Sequence, residues 1–339
     1  MNRDVALRAR AVVREATLHV RCSRILNTLL VHRVPDLLDE GPATSLALAE
    51  AAELHQLSLE RSLRLLASFG LFVEVSPGLF ANTEASELLR DRPGGLRNWT
   101  LHATSRYVWD SIGAADHTLR SGGSAFVHQH GVTFWEHLNA NPDDHAVFNA
   151  MFAGLWAGEQ SAIVAAYNWA DVQIVVDVGG GNGSLLATIL EQNDHVRGVL
   201  LDQNAVLAQA DAHLRSRGQR DRCELVAGDL FDSMPVVGDV WILSQILHSW
   251  DDERAGLILD RCRGQLRPAD RLLVVELVPV PCRPDRAVGI TDINMLVLFG
   301  EARQRTEDEY KNLFAQHRLE LRGVIPSEGG FALVEAFPI

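Results

Sequence analysis

Asp177-Val-Gly-Gly-Gly-Asn-Gly-Ser184 follows an apolar run, Ile174-Val-Val-Asp-Val178, and opens a helical stretch from Ser184 to Glu191. Strand, glycine-rich turn and helix form the opening of a β-α unit. The glycines permit the tight turn and let a ligand approach the backbone. The spacing departs from a dinucleotide loop: after Gly179 and Gly181, position 184 is serine where that pattern has Gly or Ala. Outward from the loop the alternation continues. Gly198 to Asp202, Cys223 to Ala227, Val240 to Ser244 and Arg271 to Glu276 read as further strands, with helices over Ala205–Arg215 and Asp252–Leu266. Repeated β-α units predict an α/β fold with a doubly wound parallel sheet over residues 171–339.

The rest of the 339-residue chain divides in two. Residues 1–100 read as helices and one hairpin. Ile25, Leu26, Leu29, Leu30 and Val34 lie at helical spacing, and short helices begin near Ser45 and Ser58. Two short strands flank Ser76-Pro77-Gly78. Helix, helix, hairpin is a winged-helix arrangement. It serves either DNA reading or a protein interface. The second helix mixes Glu60 with Arg61 and Arg64 and the hairpin is apolar, which favours a homodimer interface. Residues 101–170 form a helical, aromatic segment that can wall a pocket for a flat ligand, with Trp135, Phe148, Met151 and Phe152 among its candidates.

Composition narrows the partners. Hydrophobic residues are 47% and charged residues 22% of the chain, an ordinary globular balance that can bury a large core without staples. The net charge of −13 repels phosphate backbones and anionic bilayers, so neither nucleic acid nor membrane is expected as a partner. Cys22, Cys223, Cys262 and Cys282 are scattered, without a disulfide framework or zinc spacing. No apolar stretch is long enough to span a bilayer or act as a secretory leader, so a cytoplasmic location is expected.

The acids after the strands indicate the ligand. Asp202 ends the second strand, 19 residues after Gly183, where a carboxylate can accept hydrogen bonds from ribose hydroxyls. Asp229 and Leu230 follow the third strand, an acid and an apolar side chain suited to an adenine. In series with the glycine loop they point to a nucleoside-type cofactor.

The ordered set Asp177-Val-Gly-Gly-Gly-Asn-Gly, Leu201-Asp202-Gln203, Gly228-Asp229-Leu230-Phe231 and Leu247-His-Ser-Trp-Asp-Asp-Glu253 resembles the S-adenosylmethionine-dependent small-molecule O-methyltransferases, plant caffeate and flavonoid enzymes and bacterial antibiotic-tailoring enzymes among them. The resemblance covers nearly the whole chain. Phe148-Asn-Ala-Met151 matches the family motif in the helix before the catalytic domain, and the N-terminal module matches the dimerisation domain. The resemblance implies a Rossmann-like class I methyltransferase domain. Asp177, Gly179, Gly180 and Gly181 would lie at the amino-acid end of S-adenosyl-L-methionine. Asp202 and Gln203 would lie at its ribose, and Gly228, Asp229 and Leu230 at its adenine. Ser244 occupies a position where plant members often carry a cofactor-side lysine.

The same match makes His248 the general base, just after the fourth strand at the carboxyl edge of the sheet, where open α/β sheets bind ligands. An imidazole there can accept the proton of an acceptor hydroxyl. Glu276 matches the first supporting glutamate, and is expected to bond a ring nitrogen of His248 and fix its tautomer. The second supporting glutamate falls on Gln304, a departure that leaves His248 less basic than two carboxylates would. Asp251, Asp252 and Glu253 read as the acidic start of a helix, with no histidine spacing for a metal. Asp292, Trp250 and Met295 are further candidates for the acceptor pocket. The aromatic and apolar set suits a flat molecule, and a phenol is easier to deprotonate than an alkyl alcohol. The expected reaction is therefore O-methylation of a phenolic polyketide or other aromatic natural product. Two alternatives are the same cofactor fold performing another reaction, such as hydroxylation, and a winged-helix regulator on DNA.

Overall fold

The computed structural model describes residues 3–92, 94–155, 158–232 and 234–339, with side chains of residues 3, 4 and 152–155 outside the description. The chain forms two compact units: Met1–Trp109 with Pro142–Leu155, and Asp110–Asn141 with Trp156–Ile339. The stretch 101–170, expected as one helical segment, is thereby shared between them. Its helix Pro142–Leu155 packs on Arg97–Ala103, with Phe148 edge-on to His102 at 5.2 Å.

In the first unit, strands β1 (Ala43–Thr44), β2 (Phe72–Ser76) and β3 (Leu79–Asn82) form an antiparallel sheet in the order β1-β3-β2. Helices Ser45–Ala51 and Gln56–Ala67 precede the β2–β3 hairpin. Thr44, the residue before Ser45, caps the first by accepting the Ala47 N–H. Leu48, Leu59, Leu63, Leu66, Phe72 and Phe80 form the core with Leu29 and Val34 of the N-terminal segment. Arg64 is ion-paired with Glu60 and Glu74.

The second unit is built on β4 (Ile174–Val178), β5 (Arg197–Asp202), β6 (Cys223–Ala227), β7 (Val240–Ser244), β8 (Arg271–Glu276), β9 (Leu319–Pro326) and β10 (Ala332–Pro338). Their order is β6-β5-β4-β7-β8-β10-β9. The first five are parallel, and β10 is antiparallel to both neighbours, so the sheet is mixed rather than all parallel. The physical reason is the short connection after Pro326. Ser327 donates its N–H to Phe331 across a tight turn with Gly330 at positive φ, and a turn that short can join only antiparallel strands. Successive residues of β4 serve opposite faces: Val175 packs with Leu186, Ile189 and Leu200, whereas Val176 packs with Trp241, Leu272 and Tyr310. Both faces are covered, as parallel strands require. The chain order reverses beside β4, with β5 on one side and β7 on the other. The carboxyl ends of β4, β5, β6 and β7 therefore converge on one edge. Among the described residues, no helix is long and apolar enough to cross a membrane.

Candidate active site

The glycine loop leaves β4 and enters helix Ser184–Gln192 with Gly179, Gly181 and Gly183 at φ of 71°, 59° and 76°. The loop rests directly on its neighbours. A Cβ on Gly179 would lie 2.7 Å from Cδ1 of Ile246 and 3.4 Å from Cδ2 of Leu230. One on Gly180 would lie 2.6 Å from Oδ2 of Asp177. The Gly179 N–H donates to the Leu201 carbonyl at 2.8 Å, tying the loop to β5.

Asp202, at the end of β5, is held from two sides: Oδ2 accepts the Gly181 N–H at 2.8 Å and Oδ1 accepts the Gln203 N–H at 2.6 Å. Each oxygen keeps lone-pair capacity for a ligand hydroxyl. Burial raises the Asp202 pKa, and the two amide bonds oppose that rise. Asp177 is 1% exposed, and neither of its oxygens has a hydrogen-bond partner among the described residues. Burial first, and the Asp202 charge second, push its pKa up to about 7. Asp229 accepts the Phe231 N–H at 2.9 Å, which shapes the turn carrying Leu230. Gly228 lies against Leu201, where a Cβ would be 3.3 Å from that side chain. Gln203 is exposed at the start of helix Asn204–Ser216, and Ser244 ends β7 partly buried. These positions lie at the carboxyl ends of β4 to β7, and the fixed Asp202 carboxylate, with lone pairs to spare, fits a ligand carrying vicinal hydroxyls, as the ribose of S-adenosylmethionine does.

His248 sits on the short turn Leu247–Ser249 after β7 and is 7% exposed. Arg305, fully buried, clamps this turn. It donates to the carbonyls of Leu247 at 2.7 Å and Trp250 at 2.8 Å, and pairs with Asp252 at 2.9 Å. Asp251 caps the helix that follows by accepting the Arg254 N–H. Glu276 does not meet the imidazole as expected. Its Oε1 accepts the main-chain N–H of His248 at 2.9 Å and its Oε2 accepts the Tyr310 hydroxyl at 2.5 Å. The reason is placement: Glu276 ends β8, beside β7, and meets the backbone of the turn that β7 feeds. The ring partner is Gln304, whose amide lies 2.8 Å from Nδ1. That contact is satisfied by the amide N–H donating to Nδ1 or, with the amide turned over, by Nδ1–H donating to the amide oxygen. Asp292 accepts the main-chain N–H of Gln304 at 2.8 Å. Burial lowers the His248 pKa; Glu276 opposes this, Arg305 adds to it, and the Gln304 contact opposes it.

Beside the turn, Trp250 stacks near Trp135 at 6.4 Å and meets Phe231 edge-on at 5.0 Å. Phe299 lies 5.7 Å from Trp135, and the Met295 sulfur is 4.0 Å from Oγ of Ser249. Phe148 and Met151 belong to the first unit, and the side chain of Phe152 lies outside the described residues. Sequence reading missed Ile246, Phe299, Tyr310 and the clamp by Arg305. Arg305 left one signal, since it directly follows Gln304, the position that the family resemblance singled out. Among the described residues, no group of three or more His, Cys, Asp or Glu is arranged to hold a metal.

A glycine loop at the reversal point of a seven-stranded sheet, an acid closing the next strand and one antiparallel strand near the far edge define a class I S-adenosylmethionine-dependent methyltransferase. The O-methyltransferase domain model matches residues 109–318, and the O-methyltransferase dimerisation domain matches residues 15–92. The chain belongs to the O-methyltransferase family. It is 37% identical over 310 residues to the phenazine O-methyltransferase PhzM of Lysobacter antibioticus, spanning 90% of this chain and 89% of that protein. The solved mitomycin 7-O-methyltransferase MmcR superimposes with a TM-score of 0.92 at 31% identity, over 100% of both chains. An O-methyltransferase from neocarzinostatin biosynthesis, solved with S-adenosylmethionine and 2-hydroxy-5-methyl naphthoic acid, gives 0.79 at 31% identity over 94% and 96% of the two chains. The protein is an S-adenosylmethionine-dependent O-methyltransferase of the natural-product type.

Proposed function

We propose that the enzyme methylates a phenolic hydroxyl of an aromatic or polyketide natural product, with His248 as general base. The observation that carries this reading is the buried imidazole at the carboxyl edge of the sheet. Its Nδ1 is engaged by Gln304, leaving Nε2 as the ring nitrogen without a hydrogen-bond partner among the described residues. Base action at Nε2 requires Nδ1–H to donate to the Gln304 oxygen, the second of the two senses of that contact. Aromatic acceptors are supported by the relatives, one a phenazine O-methyltransferase and one solved with a naphthoic acid.

S-adenosylmethionine, when bound, supplies a sulfonium methyl group as the electrophile. The chain supplies placement. Gly179, Gly180, Gly181 and Asp177 receive the amino-acid end, Asp202 and Gln203 the ribose, and Gly228, Asp229 and Leu230 the adenine, with Ser244 nearby. Trp135, Trp250 and Met295, grouped around the turn of His248, hold a flat acceptor with its hydroxyl toward Nε2. Such alignment can account for several kcal/mol of the barrier, and proton removal by a positioned imidazole contributes about 10²–10⁴-fold. The molecule works as a homodimer through its N-terminal unit. The support is its dimerisation-domain match and the exposed Val5, Leu7, Val12, Val13 and Val20 of helix Arg3–Val31.

His248→Ala tests the assignment. Calorimetry is expected to find cofactor affinity nearly unchanged, while methyl transfer to a phenolic acceptor falls by at least about tenfold. Turnover equal to the parent enzyme would remove His248 from the reaction.

A further inference from the structure

We propose that the amide of Gln304, together with the buried guanidinium of Arg305, restricts the acceptor to acidic hydroxyls: phenols activated by a neighbouring carbonyl, carboxyl or quinone group. Gln304 is then a positioning residue that selects the tautomer of His248 while adding less to its basicity than a carboxylate there would. The inference rests on His248 being the base and adds a substrate class to that reading.

The groups around the imidazole carry the argument. From β8 comes Glu276, whose oxygens accept the His248 main-chain N–H and the Tyr310 hydroxyl rather than a ring N–H, so that it reaches the imidazole by its charge and not by a hydrogen bond. Helix Glu307–Gln316 contributes that Tyr310, a neutral donor. From helix Arg286–Phe299 comes Asp292, with one oxygen turned to the Gln304 main chain. The segment 303–305 brings Gln304, uncharged, onto Nδ1, and Arg305 onto the carbonyls on either side of His248. Asp252, which balances Arg305, is half exposed and shared with Arg303. A proton arriving at Nε2 therefore makes an imidazolium that faces an amide at Nδ1 rather than a carboxylate, with the Glu276 charge acting only through space and the buried Arg305 cation set against it. In a histidine–carboxylate pair the carboxylate would stabilise that imidazolium. Burial weakens the base in the same direction.

Proton transfer to a weak base is favourable only from an acidic donor. An unactivated phenol ionises near pH 10, about as tyrosine does, and is poorly matched to this imidazole. An activated phenol is well matched. In the reaction the phenolic proton goes to Nε2 of His248 and the oxygen forms its bond to the methyl carbon. The carbon–sulfur bond breaks as this happens, its electron pair leaving with the neutral thioether. The proton then passes to solvent.

The test uses the full-length enzyme and naphthalene acceptors of one ring size, such as a hydroxynaphthoquinone, a hydroxynaphthoate and a plain naphthol. The parent enzyme is expected to show kcat/KM falling at least tenfold from the most to the least acidic acceptor at pH 8.5. Gln304→Glu is expected to flatten that series by fivefold or more. In NMR titrations of histidine-labelled, cofactor-free protein, the same variant is expected to move the His248 midpoint up by one pH unit or more. An acceptor series that is flat in the parent overturns the proposal whether or not the variant folds. So does an unmoved His248 midpoint in a folded Gln304→Glu. If the two series run parallel while His248→Ala still abolishes transfer, the restriction fails and the base stands. If His248→Ala leaves turnover intact, the base assignment itself fails.

Discussion

Asp177 shows how one residue can be legible in sequence and yet take its chemistry from burial. Its place before the glycines marks it as part of the loop, but its protonation depends on having no partner beneath Gly180 while Asp202 lies nearby. The folded carboxyl holds its proton to about pH 7, whereas the unfolded one loses it near pH 4. The folded state thus binds more protons between these limits. The stability this contributes is full below pH 4 and is lost as pH rises through 7. Relative to Asp177→Asn, the parent is expected to lose roughly 3–4 kcal/mol between pH 4 and 7.5 and to change little above. Denaturant midpoints of both proteins across that range check this, and a constant difference would mean the carboxyl stays ionised in the fold. The roles of Glu276 and Gln304 were half legible at this scale. The motif brought both to His248, but only the structure shows that the amide meets the ring and the carboxylate meets the backbone.

At the scale of elements, the β4 loop and the Leu247–Ser249 turn are the two pieces that the sheet brings together. The loop was legible because glycine spacing after an apolar run has few other readings. Its contacts were not, since Ile246 is far along the chain and no local pattern announces it. Gly180 illustrates the packing: its φ is unremarkable, so its constraint is space rather than backbone freedom. Gly180→Ala is expected to push the Asp177 carboxyl aside and lower stability by about 1–3 kcal/mol, the usual cost of overpacking. Urea unfolding measures this, and a variant as stable as the parent would show the loop to be looser than its 2.6 Å clearance implies. The β9–β10 hairpin escaped sequence reading because its turn lies after a clear βα series that favours continued parallel order.

At the scale of the molecule, helix Arg3–Val31 exposes apolar side chains that the first unit does not bury. Val12 and Val13 are both more than 60% exposed, which an isolated surface does not favour when such residues are contiguous. Val12→Glu combined with Val13→Glu is expected to halve the mass found by light scattering at micromolar concentration, with the circular dichroism unchanged. An unaltered dimer would move the interface elsewhere on the N-terminal unit. The net charge of −13 is compatible with such an apolar interface, since like charges elsewhere favour solubility over non-specific association.

The order of strands and helices around the glycine loop, the cofactor class and the candidate base were determined by the sequence itself. The strand and helix order depends on local spacing and on backbone conformations that only certain residues allow, and the cofactor class and the base came from ordered motifs that resemble a known family. The tertiary structure alone decided which group meets the His248 ring, which residue clamps its turn and where the sheet turns antiparallel. Those outcomes join residues up to 64 positions apart, and burial sets their hydrogen-bond partners and charges in a way that no stretch of neighbouring residues encodes.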